Sequence, residues 1–495
     1  MISYGPVRRL PDWFVVSAIL AVAAAARLWF LTAGVPHAVG IDEPQVVDRA
    51  LRILHTGDWN THLFDYPTLV IYLQAGVQIL RFLWGALSGE WASLDGYSIA
   101  AVYGAGRLVA AAIGVSTVWL TWRIARDLSG RAVALLAAAQ LAVWPLHVRE
   151  SHYILTDVPM TALTTLTLWL SVRAGRLHTT SAYAWAGAAC GLAAAAKYTG
   201  GSAIVAVAAT WFLQDRTAPD RTRKALAIVV GAAAAFLLAA PYTLLDMPHF
   251  LDGFAAQFAR FAAPSHAGEP VWLTYVKHLS PPSSRWVVPA AVAGMAILMW
   301  HSRTRRTWAP LVLFALSFFY VLSTHSHVFG RYALPLIPVL CLMTAVAVAE
   351  LIRALHRVPA LSGRWPSRLL WSAAVVLSFG TPLVETVHWL EGLKRADTRS
   401  MAAEWLKASV PRGTRVAVEN SGPTYLDAAG FRLVANEVLI DRPMDWYRQR
   451  ADYLVISAAD LSRYGDYTSA GPTVFQAVPG AQRWGPPIVI VSLKR

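Results

Sequence analysis

The sequence predicts an all-α polytopic membrane bundle of about 11 transmembrane helices, followed by a small C-terminal extracytoplasmic α/β domain. Of the 495 residues, 56% are hydrophobic and only 15% are charged, and 21 are Trp, a balance far more apolar than that of ordinary soluble domains. Apolar windows recur along the first 388 residues, and the remainder has a soluble composition. Basic residues cluster between alternate windows, as they do in polytopic membrane proteins.

Eleven windows are apolar over a length near the ~20 residues that a helix needs to cross the hydrocarbon core. They are 12–34, 103–124, 131–148, 156–172, 183–196, 199–213, 225–241, 287–300, 308–324, 333–352 and 369–387. The first window is too long for a removable signal peptide and lacks a small-residue cleavage site, so we interpret it as the first span.

The stretch 66–87 is also apolar, but it contains Gln74, Gln78 and Arg81. If it were a span, every later loop would change sides, and the asymmetry of basic residues would disappear. We therefore expect it to form a helix that lies in the outer interface.

The distribution of Lys and Arg predicts the orientation. With Arg8 and Arg9 inside, the short inner loops hold 18 basic residues, whereas the outer loops before residue 388 are about twice as long and hold nine. This is the positive-inside pattern. It predicts a cytoplasmic N-terminus, an extracytoplasmic C-terminus, and a working face on the extracytoplasmic side, where the first outer loop spans about 35–100. A bacterial inner membrane is the expected location.

The predicted domains are a membrane domain, 1–388, and an α/β domain, 389–495. In the second, "TRSMAAEWLKASV" has helical spacing and ends at Pro411. Four short β-branched runs follow, bounded by turn residues, and they are predicted to be strands: "TRVAVEN", "RLVAN", "DYLVIS" and "PIVIVSLK".

The charge pattern disfavours nucleic-acid binding, and the cysteine positions disfavour cysteine-based sites. The net charge of +14 would suggest nucleic acid in a soluble protein, but these basic residues lie between apolar runs, where they orient helices. Nucleic acid is therefore not an expected partner. Cys190 and Cys341 both lie inside apolar runs, which indicates neither a disulfide framework nor a thiolate metal site.

Ionisable residues at the outer ends of the predicted spans are the candidates for chemistry, because such groups are costly at membrane depth. All five clusters converge on one face. Their members are Asp42 and Glu43; Arg149, Glu150, His152 and Asp157; Lys197 and Tyr198; Asp246; and His325, His327, Arg331 and Tyr332.

Each cluster also has a structural interpretation. Asp157 fits an ordinary helix N-cap, and Lys197 fits a lysine that snorkels at a helix end. His325 and His327 form an incomplete metal site, because no third ligand is evident. The tandem acids fit a solvated loop, although the glycine before them and the proline after them constrain their backbone.

Five motifs, taken in order, resemble GT-C glycosyltransferases over residues 10–390. The most similar branch contains protein O-mannosyltransferases and aminoarabinose transferases. The motifs are "GIDEPQVVDRALRIL" with "FDYPTLVIYL", "AVALLAAAQLAVWPLHVRESHYILTDVPMTALTTL", "GLAAAAKYTGG", "PYTLLD" and "GRYALPLIPVL".

The resemblance implies a reaction. A sugar passes from a polyprenyl-phosphate donor to an acceptor hydroxyl at the extracytoplasmic face, with inversion at the anomeric carbon. Asp42 matches the family's acid after the first span and would be the general base, with Glu43 shaping the site. Asp157 matches a second family acid. Lys197 and Arg331 match basic positions that would meet the lipid phosphate.

The resemblance extends to further site residues and to partners. Arg149 and Tyr332 are additional phosphate-binding candidates, and the other site candidates are His152, Tyr66, Asp246 and His327. Tyr66 stands where the aminoarabinose branch commonly has lysine, so an aminoarabinose donor is not supported. If a divalent cation is used, Asp42 and Glu43 are its candidate ligands; no other cofactor is implied. The expected partners are the lipid bilayer, the lipid-linked donor, and an acceptor protein, glycan or lipid.

A transporter or flippase of a lipid-linked sugar is the rival interpretation. It would explain eleven spans and ionisable residues within the membrane. It also predicts internal repeats, charges near the midplane, and Gly/Pro-broken helices in matched halves, and no such repeat is evident.

Overall fold

The computed structural model describes residues 11–494 except 215–218, 263–268, 325–327 and 362. The chain forms two compact units. The helical unit comprises Met1–Trp29, Arg49–Val77 and Leu108–Val387, and the mixed unit comprises Phe30–Asp48, Gln78–Arg107 and His388–Arg495. The mixed unit thus combines His388–Arg495, which we call the C-terminal tail, with two segments that overlap the predicted first outer loop. The domain boundary at residue 388 stays a prediction.

Helices occupy every predicted apolar window. They are α1 Asp12–Leu28, α2 Glu43–Thr56, α3 Leu69–Leu87, α4 Ile99–Leu128, α5 Arg131–Ala142, α6 Pro145–Glu150, α7 Asp157–Leu177, α8 Thr180–Ala196, α9 Ile204–Gln214, α10 Arg221–Ala239, α11 Tyr242–Leu245, α12 Met247–Ala262, α13 Val271–His278, α14 Val287–Trp300, α15 Ser302–Ser323, α16 Leu336–Leu355, α17 Arg364–Val375 and α18 Thr381–Gly392. The five residues between α17 and α18 form a π-helix, Val376–Gly380.

Within the described residues, seven helices are long and apolar enough to cross a membrane. They are Leu69–Leu87, Ile99–Leu128, Arg221–Ala239, Pro282–Trp300, Thr304–Ser323, Leu336–Leu355 and Trp365–Gly392. The predicted helical bundle is confirmed, but eleven spans and their orientation stay predictions. The stretch predicted to lie in the interface forms α3, which is itself one of the seven.

Small residues bring α8 and α10 into close contact. A Cβ atom at Gly187 would lie 2.3 Å from the carbonyl oxygen of Ile228, and one at Gly191 would lie 2.1 Å from that of Ala232. These two glycines have the small-xxx-small spacing that lets helix backbones approach closely where no water drives association. The contact therefore fixes α8, the helix that leads directly into Lys197.

We expect Gly191→Ala to destabilise the protein, because the new methyl group meets backbone rather than a movable side chain. Overpacking of this kind costs about 1–3 kcal/mol, so the thermal unfolding midpoint in detergent falls. Gly76→Ala in α3 is the matched control, since a Cβ atom there meets nothing within 4 Å. An unchanged midpoint for Gly191→Ala would contradict the close approach.

The mixed unit contains the predicted sheet. Its strands are β1 Ala396–Asp397, β2 Arg415–Glu419, β3 Arg432–Glu437, β4 Tyr453–Ser457, β5 Thr473–Ala477, β6 Arg483–Trp484 and β7 Ile488–Ser492, and its further helices are α19 Thr398–Ser409, α20 Met444–Arg450 and α21 Gly465–Thr468. All four predicted strands and the predicted helix are present. β1, β5 and β6 are additional. β1 and β6 have only two residues each, and β5 is largely exposed, so all three carry a weak apolar signal.

The five-stranded sheet has the order β3-β2-β4-β7-β5. β3, β2 and β4 are parallel, and β7 runs antiparallel to β4 and β5. Leu406 of α19 packs with Val416 and Ile490 on one face, while Tyr447 of α20 packs with Leu454 on the other. Burial on both faces explains the continuous apolar runs of β4 and β7.

Candidate active site

Three predicted site residues of the helical unit meet at one carboxylate. Asp157, at the start of α7, is buried. The Nζ atom of Lys197 donates to its Oδ1 at 2.7 Å, and the Nε atom of Arg331 lies 3.7 Å from its Oδ2. The exposed fractions of the side chains are 3% for Asp157, 11% for Lys197 and 20% for Arg331. Residues separated by 174 positions (157 to 331) therefore form one cluster, which we call the Asp157 cluster.

Local backbone geometry places the lysine. Lys197 is the C-cap of α8 and is extended, with φ −158° and ψ 134°. The chain then turns through a 3-10 helix, Tyr198–Ala203. A Cβ atom at Gly200 would lie 2.3 Å from the carbonyl oxygen of Ala193, so only glycine allows the turn to pack against α8.

An aromatic face completes the cluster. The ring centroid of Tyr332 lies 4.2 Å from the Nζ atom of Lys197, within cation–π distance. The guanidinium of Arg331 lies 4.8 Å from the ring centroid of Phe329. Two cations face one carboxylate, so the cluster has a net positive charge, which suits an anionic ligand.

The contacts decide between the two interpretations of each residue. The N-cap position of α7 is Thr156, which makes no side-chain capping bond, and the Asp157 carboxylate instead binds Lys197. Lys197 does not snorkel, because its ammonium group points at a buried acid and its side chain is almost wholly buried. Ion pairing, rather than helix capping or solvation, therefore explains why the side chains of Asp157 and Lys197 are buried where they are.

Arg149 and His152, two predicted neighbours of the cluster, have other partners. Arg149 pairs with Glu150, with its Nη2 atom 2.7 Å from Oε1, and its side chain is 44% exposed. Both ring nitrogens of His152 face backbone oxygens, Nδ1 that of Val148 at 2.9 Å and Nε2 that of Trp29 at 3.1 Å. His152 therefore ties the end of α6 to the residue after α1.

Asp246 belongs to a separate polar group. Its Oδ2 atom accepts from Asn60 at 2.8 Å, and its Oδ1 atom lies 2.6 Å from Nδ1 of His249. The Asn60 hydrogen bond, followed by that of His249, lowers the pKa of Asp246, and the Asp246 contact raises the pKa of His249. Tyr66 is partly buried in the turn before α3. His327, like His325, lies outside the described residues.

In the mixed unit the tandem acids have different surroundings. Glu43 begins α2 and is fully buried. Arg107 binds it bidentately, with Nε 2.9 Å from Oε1 and Nη2 2.7 Å from Oε2. The backbone N–H of Gly40 also donates to Oε2, at 2.7 Å. Asp42 lies in the turn before α2 and is partly buried.

Glu43 and Asp42 therefore differ in how accessible their carboxylates are to a ligand. The oxygens of Glu43 are occupied by a buried guanidinium and a backbone amide, so Glu43 holds the turn in shape. Asp42 is the acid with accessible surface. Within the described parts of the chain, no three His, Cys, Asp or Glu side chains are grouped closely enough to hold a metal ion.

Arg107 is a site residue that the sequence pattern did not predict. It binds Glu43 and also donates to the carbonyl oxygens of Leu31 at 3.0 Å and Ala33 at 3.2 Å. A signal was present, because Arg107 lies inside a predicted apolar window. An arginine in such a window is expected to have a partner, and the nearest unexplained acids were those after the first window.

Known proteins are similar to this chain in sequence over one segment and in fold over most of its length. Residues 97–244, which include Arg107, Asp157 and Lys197, match the family model of dolichyl-phosphate-mannose-protein mannosyltransferases. The oligosaccharyltransferase AglB from Archaeoglobus fulgidus superposes with a TM-score of 0.64, at 12% identity over 93% of this chain and 71% of that chain. The chain has the GT-C fold. The resemblance inferred from the five motifs is confirmed.

A second GT-C structure matches over nearly the full length of both chains. ArnT from Cupriavidus metallidurans, bound to undecaprenyl phosphate, has 16% identity and a TM-score of 0.59, covering 97% of this chain and 98% of that chain. No curated protein matches by sequence. The family-model match covers less than a third of the chain, and the similarity of the whole chain is one of fold.

We expect Glu43→Gln to destabilise the GT-C fold strongly. It leaves the Arg107 guanidinium buried and uncompensated, and breaking such a pair costs about 3–5 kcal/mol. The thermal unfolding midpoint in detergent measures the loss. Glu90→Gln is the matched control, because Glu90 is 45% exposed in its pair with Arg81 and exposed pairs contribute about 1 kcal/mol or less. Equal shifts for the two variants would contradict a stabilising role of the buried pair.

Proposed function

We propose that this protein is a membrane glycosyltransferase that transfers a sugar from a polyprenyl-phosphate donor to an acceptor hydroxyl. The observation that carries the proposal is the Asp157 cluster, in which one buried carboxylate contacts two cations and an aromatic ring lies over the lysine ammonium group, in a chain of the GT-C fold. Charge-assisted hydrogen bonds from Lys and Arg are strong and suit phosphate oxygens. ArnT, with the same fold, binds undecaprenyl phosphate.

Lys197 and Arg331 act on the leaving group. As the bond between the anomeric carbon and the phosphate oxygen breaks, negative charge grows on that oxygen, and the two cations stabilise it. Asp157 holds both cations in place before the donor arrives, so little reorganisation is needed during the reaction. Tyr332 limits the positions open to the lysine head group.

Asp42 acts on the acceptor. Its carboxylate takes the hydroxyl proton while the oxygen forms a bond to the anomeric carbon and the phosphate leaves with the bonding electrons. A single displacement of this kind inverts the configuration at the anomeric carbon. Glu43, fixed by Arg107 and Gly40, keeps the turn that carries Asp42 rigid.

The positive-inside pattern supports reaction at the extracytoplasmic face of the membrane, and a bacterial inner membrane is the proposed location. The predicted membrane domain, 1–388, supplies every residue named in these steps. The acceptor is a hydroxyl of a protein, a glycan or a lipid, and the chemistry is the same for all three.

Loss of the base tests the reaction. Purified protein in nanodiscs is incubated with radiolabelled polyprenyl-phosphate sugars and a panel of acceptors. We expect Asp42→Asn to lower kcat by about 100-fold or more, because general base catalysis contributes about 10²–10⁴-fold, with the donor KM unchanged. The control Asp466→Asn removes an exposed acid of α21 and leaves kcat unchanged. Full activity of Asp42→Asn would remove Asp42 as the base.

Loss of the lysine tests the phosphate site. We expect Lys197→Met to weaken binding of unlabelled polyprenyl phosphate by about 10–100-fold, the range for a hydrogen bond to a charged group. Competition with a fluorescent lipid phosphate measures it. Lys277→Met is the matched control, since Lys277 is 60% exposed in α13. A contrary result would be that the protein moves lipid-linked sugar across a vesicle membrane and transfers sugar from no donor. The transporter interpretation would then replace the glycosyltransferase proposal.

A further inference from the structure

The segment before Asp42 is hydrogen-bonded to the loop that follows β2. The Thr424 N–H donates to the carbonyl oxygen of His37 at 3.0 Å. Its hydroxyl donates to the carbonyl oxygen of Pro36 at 2.6 Å, and its carbonyl oxygen lies 2.8 Å from Nδ1 of His37. One threonine of the C-terminal tail therefore holds two consecutive residues close to the proposed base.

A lysine of α19 completes the environment of His37. The Nζ atom of Lys407 lies 2.7 Å from Nε2 of His37. Because Nδ1 faces a carbonyl oxygen and must carry the proton, Nε2 accepts from the ammonium group, and the ring is neutral. Burial, with a further contribution from Lys407, lowers the pKa of His37. The ring is thus a fixed, uncharged bridge between two elements of the tail.

The first turn of α19 holds Val39. The Nη1 atom of Arg399 donates to the carbonyl oxygen of Val39 at 2.8 Å. Asp397 in turn fixes Arg399, with hydrogen bonds of 3.0 Å from Nε and 2.9 Å from Nη2. Residues 36, 37 and 39 are therefore all bonded to the tail, and Asp42 follows three positions later.

Tyr425 reaches the other side of Asp42. Its hydroxyl donates to Oδ1 of Asp48, in the second turn of α2, at 3.0 Å. It also lies 2.9 Å from the hydroxyl of Tyr103. Tyr425 has φ +54°, a left-handed conformation that is unfavourable for a residue with a Cβ atom, and its surroundings must maintain it.

Tyr103 links this contact to the acid next to the proposed base. The guanidinium of Arg107 lies 5.3 Å from the ring centroid of Tyr103, and Arg107 binds Glu43. A continuous set of contacts thus runs from Tyr425 through Tyr103 and Arg107 to Glu43.

The position of the loop in the sheet is consistent with a functional role. In the sheet, β2 lies between β3 and β4, which are both parallel to it. Residues 420–431 follow the carboxyl end of β2. Loops at that edge of an open α/β sheet commonly carry binding and catalytic residues. The hydroxyl of Ser421 donates to the carbonyl oxygen of Ser457 at 2.7 Å, which ties the loop to β4.

We infer that the C-terminal α/β tail is a positioning device for Asp42, with Thr424, Tyr425, Arg399 and Lys407 holding the chain on both sides of it. This inference rests on the proposed function, because it assigns Asp42 the role of base. The tail is then required for the transfer step and not for donor binding. Tyr425 and Lys407 act through the segments that flank Asp42, as positioning residues.

The test uses the full chain with Tyr425→Phe, which removes one hydroxyl and keeps the ring. Hydrogen exchange of peptides covering 36–48 is expected to become about tenfold faster. In the sugar-transfer assay kcat falls about tenfold while the donor KM stays constant, because small misplacements of a catalytic group reduce rate without weakening remote binding. Tyr467→Phe removes a hydroxyl of the same tail that bonds to the carbonyl oxygen of Arg442 and leaves both readouts unchanged.

Lys407→Met is the second variant. It removes an exposed ammonium group that contacts His37, and its effect is independent of the strained backbone at Tyr425. Faster exchange at 36–48 with a reduced kcat supports the inference. A reduced kcat with unchanged exchange overturns it, because Tyr425 would then act directly on a substrate. A raised donor KM with unchanged kcat also overturns it. If the variants exchange faster at 36–48 but the wild-type protein transfers no sugar from any donor, the proposed function is refuted and the anchoring by the tail stands.

Discussion

An ionised carboxylate that is withdrawn from water needs compensating partners, and in the described sites of both units the main partner is a cation. In the helical unit, Asp157 brings Lys197 and Arg331 together from segments far apart in sequence. In the mixed unit, Glu43 is bound bidentately by Arg107. Each pair would be destabilising if one member were missing, because the remaining charge would stay buried. The acids therefore determine where the cations lie, and the cations determine what ligand chemistry each site suits.

The two pairs differ in what they leave for chemistry. Glu43 and Arg107 bind each other bidentately, and backbone groups of Gly40, Leu31 and Ala33 complete their hydrogen bonds. The neighbouring Asp42 is the acid with accessible surface. The Asp157 cluster instead has more positive than negative groups and retains partial exposure at Arg331. A saturated pair is suited to holding a backbone turn, whereas an unsaturated one is suited to an anionic ligand. The same physical requirement thus yields a positioning element in one unit and a candidate phosphate site in the other.

Local patterns predicted the local structure well. The apolar windows contain helices, and the runs "TRVAVEN" and "DYLVIS" contain β2 and β4, because periodicity and turn residues act over a few positions. The Asp157 cluster was predicted as a set of residues on one face, but its ion pairs could not be, since sequence spacing does not encode contacts across 174 positions. Arg107 was hidden inside an apolar window, and the left-handed backbone of Tyr425 has no sequence signal because no glycine marks it. The number of spans cannot be determined from hydropathy alone, because it also depends on bilayer thickness and helix tilt.

The central claim is that the Asp157 cluster binds the phosphate of the lipid-linked donor. A cryo-EM structure of the protein in nanodiscs with bound polyprenyl phosphate tests it most directly. The account predicts phosphate oxygens at about 2.7–3.2 Å, hydrogen-bond distance, from Nζ of Lys197 and the guanidinium of Arg331, with the Asp157 carboxylate still between the two cations. A phosphate bound elsewhere, with the cluster unchanged and unoccupied at saturating lipid, would contradict it.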